Sequence, residues 1–159
     1  MTIMQVDAFL ADSAEAVQGK IYALGMGWNT IYAQSFPATH PRLAIGMIIH
    51  VPYIATNQMH TVTVYLQHQD GGRVPIGVRP GPDRTTTEPV YELGGQFNVG
   101  RPPLLPAGDE QVVALAMTVD GLRFDKPDLY SWVVSIDGSP VKRLPMRVQQ
   151  LVHANPVAG

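Results

Sequence analysis

The most constraining stretch of this sequence lies near its C-terminus, where two segments of alternating polarity flank a turn. Every second residue is apolar from Tyr130 to Ile136, which is the period of a strand with one buried face. Asp137-Gly138 follows at once, and this dipeptide accepts the positive φ of a two-residue hairpin turn. The alternation returns from Leu144 to Val148. The stretch therefore predicts an antiparallel hairpin with one side facing a hydrophobic core.

The surface of the chain carries few charges. The 159 residues are enough for one domain with a substantial core, and 45 % of them are apolar. Only 15 % are charged, which is low for a globular chain. Such a surface belongs either to a compact domain covered with Thr, Gln and Pro, or to a protein with an interface for a partner. The sequence leaves both interpretations open.

Charge and cysteine content exclude several classes of function. The net charge is −2 and the Lys and Arg residues are scattered, so neither nucleic acid nor a membrane surface is an expected partner. The chain has no cysteine, which removes disulfides, thiolate metal sites and cysteine nucleophiles. No signal-peptide pattern is present and no apolar run reaches ~20 residues, so we expect a cytoplasmic protein without a transmembrane helix.

The spread of turn residues indicates the fold class. Fourteen Pro and fifteen Gly are distributed along the whole chain, as in proteins built from many short strands. We predict an all-β fold with little helix: a single antiparallel β-sandwich of seven to eight strands, immunoglobulin-like or fibronectin-like, over residues 1–151. A flexible tail is predicted over 152–159. Tyr130 lies where such sandwiches often place a corner tyrosine, and Pro145 predicts that the last strand is a sheet edge or is bulged at that residue.

The strand Arg42–Val51 carries a more specific prediction. It is apolar on both faces, which indicates a central strand or one covered by another subunit. We expect it to form a hairpin with His60–His68, in the register that pairs Ile49 with His60. That register puts the apolar residues of both strands on one face, and a one-residue slip would break the match.

Three other segments are predicted from local composition. Ser13–Gln18 fits one helical turn or a wide loop, since it is too short to form a stable helix alone. Arg73–Glu88 is rich in Pro, Gly, Thr and Arg, which is typical of an irregular and mobile surface loop. Val112–Val119 alternates as a strand, and Asp120-Gly121 is predicted to end it in a turn.

Nearly the whole sequence resembles a family of small bacterial proteins built on a domain of unknown function. The segments that carry the resemblance are Val6-Asp7-Ala8, Gly19-Lys20-Ile21-Tyr22, Gly25 to Trp28, His40-Pro41, Val51-Pro52, Gly100 to Pro103 and the Tyr130 to Pro145 hairpin. The resemblance implies a stand-alone domain with no assigned activity. It implies no catalytic residues.

Histidine and carboxylate side chains are the first place to look for catalysis or metal binding. In the predicted register His50 and His60 point to opposite faces, and His60 and His68 lie roughly 26 Å apart at ~3.3 Å per residue. Most Asp residues stand in turns, where they bond the backbone. Asp7 is the exception, for which we expect an ion pair with one of two cations, Lys20 or Arg42. We therefore predict no catalytic residue, metal or cofactor.

Aromatic and arginine side chains give the remaining candidates. The residues predicted to contact a ligand or partner are Trp28, Tyr53, Arg79 and Arg84. The favoured hypothesis is a non-enzymatic interaction or assembly module that forms a homo-oligomer, or binds another protein, through a sheet face or edge. The alternative is a sandwich that binds a saccharide or another small ligand through Trp28, Tyr53 and the Arg73–Glu88 loop. Against the alternative, Trp28 could simply be a core residue.

Overall fold

Thirteen strands and one short 3-10 turn make up the computed structural model, which describes residues 4–152. The predicted tail, 152–159, lies outside the described residues apart from Val152. The elements are β1 (Gln5–Ala11), β2 (Ser13–Val17), β3 (Lys20–Leu24), β4 (Thr30–Ala33), β5 (Ala38–Val51), the 3-10 turn (Tyr53–Ala55), β6 (Met59–His68), β7 (Arg73–Val74), β8 (Gly77–Pro80), β9 (Thr87–Val90), β10 (Glu92–Asn98), β11 (Gln111–Phe124), β12 (Asp128–Ile136) and β13 (Ser139–Gln150).

The all-β prediction with little helix is confirmed, but the single sandwich of seven to eight strands is wrong. The strands form four sheets, and one region curls into a half-barrel. One sheet has three strands in the order β1-β5-β11. Another has six, in the order β10-β6-β12-β13-β4, with β7 paired to β6. Two hairpins, β2-β3 and β8-β9, complete the fold. None of the helices found between residues 4 and 152 is long and apolar enough to cross a membrane.

The predicted hairpin between β5 and β6 does not form. β5 lies between β1 and β11, so that Ile49 pairs with Val6 and Val113 instead of His60. β6 belongs to the other large sheet, between β10 and β12. Apolar residues at period two indicate which face of a strand is buried, but they do not identify the strand beside it. The connection that contains the 3-10 turn carries the chain from one sheet to the other.

The core lies between the inward faces of the two large sheets. Trp132 of β12 is fully buried, and its indole N–H points at the sulfur of Met146 at 3.4 Å. The period-two positions of β1, β5, β6 and β12 supply most of the remaining core. Its largest fully buried members are Trp132, Phe124, Leu43, Ile45, Met47, Ile49, Leu66, Leu122 and Met146. This packing confirms the buried faces predicted for the individual strands.

The C-terminal hairpin has the predicted turn. Ile136 pairs with Ser139, and Asp137 and Gly138 take φ values of 51° and 84°. The edge position predicted for β13 is wrong, because β4 pairs with it in parallel over Arg147–Gln150. Pro145 lies just before that pairing, where the outer side of β13 needs no ladder donor.

Three local predictions also need correction. The Ser13–Gln18 segment forms strand β2, which pairs with β3. The Arg73–Glu88 segment contains β7, β8 and the start of β9, so it is largely an ordered hairpin. In its turn the Asp83 carboxylate accepts the backbone N–H groups of the two threonines that follow, and its pKa is lowered to about 2 mainly by the first, Thr85. Asp120-Gly121 is not a turn, since β11 continues to Phe124.

Candidate functional site

The four residues predicted to contact a ligand do not form one site. The ring of Trp28 lies 6.0 Å from that of His40, near the start of β5. Tyr53 directly follows the other end of that strand. The eleven-residue rise from His40 to Val51 is about 36 Å in an extended strand, so Trp28 and Tyr53 cannot share a small ligand.

The side chains of these four residues are largely engaged within the protein. The indole N–H of Trp28 donates to the Gly25 carbonyl at 2.7 Å. The guanidinium of Arg101 stacks 4.2 Å above the Tyr53 ring and also donates to the Tyr53 carbonyl. Arg79 lies 3.4 Å from Glu88 across the β8-β9 hairpin, and Arg84 has a φ of 59° in its turn. Tyr53 and Arg79 therefore contact other groups of the protein at separate places, whereas Arg84 is exposed in the turn of the β8-β9 hairpin.

Trp28 does line an open cleft. This cleft, of about 360 Å³, lies between Phe9 and Leu10 of β1 and Leu144 and Pro145 of β13. A second cleft of about 380 Å³ shares Asn29 and Pro145 with it and is more polar. Other residues of the second cleft are Thr30, Gln69, Ser131 and Arg147. The Trp28 part of the predicted site thus has a concave surface, without Tyr53 or the arginines.

His50 holds both of its ring nitrogens against carboxylates. Nε2 lies 2.8 Å from an Asp7 oxygen, and Nδ1 lies 3.0 Å from a Glu110 oxygen. A neutral imidazole has one N–H, so both bonds require the doubly protonated ring. The Asp7 carboxylate, followed by that of Glu110, raises the pKa of His50. The ion pair predicted between Asp7 and Lys20 or Arg42 is wrong.

His60 has the same arrangement in a buried position. Its Nδ1 lies 2.7 Å from an Asp137 oxygen, and its Nε2 lies 2.7 Å from the Ala55 carbonyl oxygen. Burial pulls the pKa of His60 down, but the Ala55 carbonyl and the Asp137 carboxylate outweigh it and raise the pKa overall. His60 therefore ties the 3-10 turn to the β12-β13 turn.

His68, like His50, has two carboxylate neighbours. Its Nε2 lies 2.5 Å from an Asp128 oxygen, and its Nδ1 lies 3.3 Å from an Asp70 oxygen. The Asp128 carboxylate raises the pKa of His68, and His68 in turn lowers the pKa of Asp128. His68 borders a cleft of about 400 Å³ that also contains Phe124 and Tyr130. Burial raises the pKa of the Tyr130 hydroxyl.

These contacts limit what the histidines can do chemically. The rings of His50 and His60 carry a proton on each nitrogen, so they have no lone pair for a metal ion and cannot act as general bases. His68 differs, because the Asp70 backbone N–H donates to its Nδ1 at 3.4 Å, which requires a lone pair on that nitrogen. Over residues 4–152, no group of three or more His, Asp or Glu side chains is arranged to hold a metal ion. His40 differs, because its buried Nε2 has no hydrogen-bond partner and burial lowers its pKa. Of the atoms described, it is the one orphaned buried side-chain nitrogen or oxygen.

Strand β11 forms a free edge of the three-stranded sheet, and such an edge can bind another strand. It pairs with β5 along its length, and no other strand in the described part of the chain pairs with its opposite side. No backbone hydrogen bond outside that ladder involves β11 within the described residues. A free edge of this kind is a template for pairing with another strand.

The sequence of β11 lacks the usual protection of an edge. From Val112 to Val119 it contains no charged residue, no Pro and no Gly. The other edges differ: β1 packs against β13, β4 has four residues, and β10 carries Glu92 and the Gly94-Gly95 pair. Charges, short length and irregular backbone are the devices that prevent edge pairing. Between Val112 and Val119, β11 has none of these sequence devices, although β2, β3 and β8 contact the strand.

The apolar side chains of β11 are incompletely covered. Val113, Leu115 and Met117 point inward and pack against the core, but they stay partly exposed, whereas Val119 is buried. Val112, on the outer face, is 60 % exposed. The partly exposed segment Val112–Thr118 is uncharged, and its end at Thr118 borders a cleft with the β2-β3 hairpin. Sequence reasoning identified this strand but not its edge position, since pairing partners are set by the whole fold.

The family relationship follows from a comparison with family models. The model of DUF6941, described as a family of unknown function, matches residues 6–149. The chain belongs to DUF6941. The match extends from β1 into β13, so the family domain includes the free edge and all three histidine–carboxylate clusters. It brings no assigned activity to this DUF6941 member.

Comparisons with individual proteins add little. No curated protein matches this DUF6941 chain. Among solved structures, it is similar to the alkylpurine DNA glycosylase of Pseudomonas fluorescens bound to DNA containing an abasic site analogue, at 8 % identity and a TM-score of 0.40. The similarity covers 92 % of this chain but 30 % of the glycosylase chain. A similarity this distant carries no information about function.

Proposed function

We propose that this DUF6941 protein is a non-enzymatic assembly module that associates with copies of itself through the free edge of β11. The observation that carries the proposal is the coincidence of three properties in Val112–Thr118: an unpaired backbone, no charge, and partly exposed apolar side chains. Pairing with a second copy would satisfy the backbone groups and cover the side chains together.

The low charge content supports the same proposal. With 15 % charged residues, the chain has little charge repulsion to prevent two copies from bringing their apolar surfaces together. The strand Arg42–Val51, predicted to be central or covered by another subunit, lies in β5. β5 has strands on both sides, so its backbone is unavailable, and the neighbouring β11 takes its place as the candidate. Two further statements remain predictions: that the protein is cytoplasmic, and that its fold is related to immunoglobulin-like or fibronectin-like domains.

The histidine contacts support a non-enzymatic role. The bonded rings of His50, His60 and His68 join separate elements, which is a structural task, and the contacts of His50 and His60 need both ring protons. Catalysis by these residues would require breaking a contact that holds the fold.

The proposal is tested with a variant that charges the edge. Val112→Lys combined with Thr118→Lys adds two charges at exposed positions of β11, and we expect it to be monomeric where the wild-type chain is a dimer by light scattering after size exclusion. Met59→Lys, at a position of β6 that is 60 % exposed and belongs to the other large sheet, is the matched control and should remain dimeric. A wild-type chain that is monomeric at all concentrations would overturn the proposal.

A second candidate function is binding of a saccharide or small ligand in the double cleft beside Trp28. It is supported by one observation: an indole side chain borders a cleft that continues, past Asn29 and Pro145, into one lined by amide, hydroxyl and guanidinium groups. Aromatic faces next to such groups suit sugars. A saccharide panel should then raise the melting temperature of the wild-type chain, and Arg147→Ala should remove the shift without lowering the ligand-free melting temperature by more than a few degrees. No shift with any saccharide would exclude this candidate.

A further inference from the structure

We propose that the double cleft beside Trp28 binds an acidic saccharide, with the carboxylate of a uronic acid unit on Arg147 and the face of an adjacent sugar ring against Trp28. This inference rests on the second candidate function, because it names the class of saccharide that the cleft would take. It does not depend on self-association through β11, since Arg147 belongs to β13 in the other large sheet.

The two halves of the double cleft differ in chemistry. The half beside Trp28 has mainly apolar walls, and none of the described residues that line it is charged. The other half is lined by hydroxyl and amide groups, and Arg147 is the one charged residue among its described lining residues. Asn29 and Pro145 line both halves. A ligand that fills both therefore needs an apolar ring face at one end and an anionic group at the other.

Arg147 gives the cleft its preference for a negative charge. Its side chain is exposed. Within residues 4–152, Arg42, Arg73, Arg79 and Arg123 each pair with a carboxylate, whereas Arg147 pairs with none. Neither half of the cleft has an Asp or Glu among its described lining residues. The charge of the guanidinium is thus left for a ligand, and its planar fork fits the two oxygens of a carboxylate.

The pairing of β13 with its neighbours brings Arg147 close to Trp28. The Arg147 backbone N–H donates to the Asn29 carbonyl at 2.8 Å, and Asn29 directly follows Trp28 in the chain. One chain step and one strand spacing therefore separate Trp28 from Arg147, which keeps their Cα atoms within about 10 Å. The indole is held in place by its own bond to the Gly25 carbonyl. Two adjacent sugar units can bridge such a distance.

The remaining polar groups favour a saccharide over a simple anion. Thr30, Gln69 and Ser131 contribute hydroxyl and amide groups, which both donate and accept hydrogen bonds as sugar hydroxyls do. The aromatic face of Trp28 suits the apolar face of a sugar ring. A uronic acid oligosaccharide carries rings, hydroxyls and carboxylates together, so it matches each part of the lining. A neutral saccharide would leave the guanidinium without a counter-charge.

The charge preference is tested on the wild-type chain with trigalacturonate and its methyl ester, which has the same rings and no charge. Isothermal titration calorimetry at low salt should show about ten-fold tighter binding of the acid, the size of effect expected for a charge-assisted hydrogen bond. Raising the salt concentration to about 0.5 M should remove most of this difference, because the contact is exposed to solvent.

Arg147→Gln removes the cation from the cleft. It should weaken binding of trigalacturonate about ten-fold and change binding of the ester by less than about two-fold. Arg147→Lys should keep part of the preference, since the charge stays and the fork is lost. Arg143→Gln is the matched control, because Arg143 lies on the same face of β13 but lines neither half of the cleft. It should leave the affinities for both probes unchanged.

The outcomes separate this inference from the function on which it rests. Equal binding of the acid and the ester by the wild-type chain would leave saccharide binding standing and overturn the acidic preference. An undiminished preference in Arg147→Gln would overturn the role of Arg147. Absence of binding by both probes would overturn this inference, and the second candidate function would fall only if the saccharide panel also gave no shift. Benzoate, a carboxylate on an apolar ring without hydroxyls, is the third probe, and an affinity equal to that of trigalacturonate would overturn the assignment of a saccharide.

Discussion

His60 Nδ1 lies 2.7 Å from a carboxylate oxygen of Asp137, a residue 77 positions further along the chain. The second oxygen of Asp137 accepts the backbone N–H of Thr61 at 2.9 Å, and the Asp137 N–H donates to the Thr61 carbonyl. The turn of the C-terminal hairpin is thereby fixed to the start of β6. Because His60 also donates to Ala55, the six-stranded sheet is tied at this point to the connection that leads from β5.

Asp137→Asn should lower the free energy of unfolding by about 1–2 kcal/mol near pH 6. The substitution replaces a charge-assisted hydrogen bond to a buried imidazolium by a neutral one. Asparagine tolerates the positive φ of this position, so the backbone of the turn is not the cause. Urea unfolding measures the change. Asp125→Asn, at a carboxylate 83 % exposed, is the control and should stay within 0.5 kcal/mol of wild type, about the range of surface substitutions. Equal effects of the two would contradict the assigned role.

Stability should be greatest between about pH 5 and 6.5 and fall on the alkaline side. The pKa values of His50, His60 and His68 are raised in the folded state, so their contribution is present below the ordinary histidine pKa and is lost as the pH rises through the raised values. The pKa values of Asp128 and Asp137 are lowered, so their contribution is lost as the pH falls through the lowered values.

His40 acts in the opposite direction, since burial lowers its pKa and its contribution is lost on acidification. The pKa is raised for three histidines and lowered for one, so the net effect of the histidines is a loss of stability as the pH rises. The urea midpoint, measured from pH 4 to 9, should therefore decline above neutrality, and Asp137→Asn should flatten that decline. A midpoint that increases steadily from pH 6 to 9 would be incompatible with this assignment.

Gly46→Ala should destabilise the three-stranded sheet by about 1–3 kcal/mol, the usual cost of overpacking. Phe9 pairs across the sheet with Gly46, and a Cβ on residue 46 would overlap the Phe9 ring. Gly77→Ala is the control, because a Cβ there meets no atom within 4 Å. Thermal unfolding compares the two. In a Phe9→Ala background the effect of Gly46→Ala should largely disappear, and an unchanged effect would show that the ring is not the obstacle.

Local pattern predicted individual strands well, because alternation and turn chemistry act over a few residues. The C-terminal hairpin is the clearest case, since the period-two positions from Tyr130 to Ile136 and the Asp137-Gly138 turn are adjacent in sequence. β5 and β6 show the limit. Both strands alternate as predicted, yet the seven residues between them cross from one sheet to the other. The sequence of neither strand identifies the strand that pairs with it.

The candidate site depended on the same long-range information. Asp7, polar within an apolar strand, was a signal that a charged partner exists, but its partner His50 is 43 residues away and became adjacent only through the pairing of β1 with β5. The turn position alone accounted for the presence of Asp137, so no local signal pointed to its bond with His60. The free edge of β11 could not be predicted, because an edge is defined by the absence of a neighbouring strand.

The central claim is that the β11 edge joins two copies, and the mass of the wild-type chain in solution tests it most directly. Sedimentation equilibrium over a hundred-fold range of concentration should show the weight-average mass rise from the 17.3 kDa of a single chain and level off at twice that value. Levelling at twice the mass distinguishes a closed two-fold dimer from open-ended assembly. A mass that stays at 17.3 kDa throughout would contradict the account.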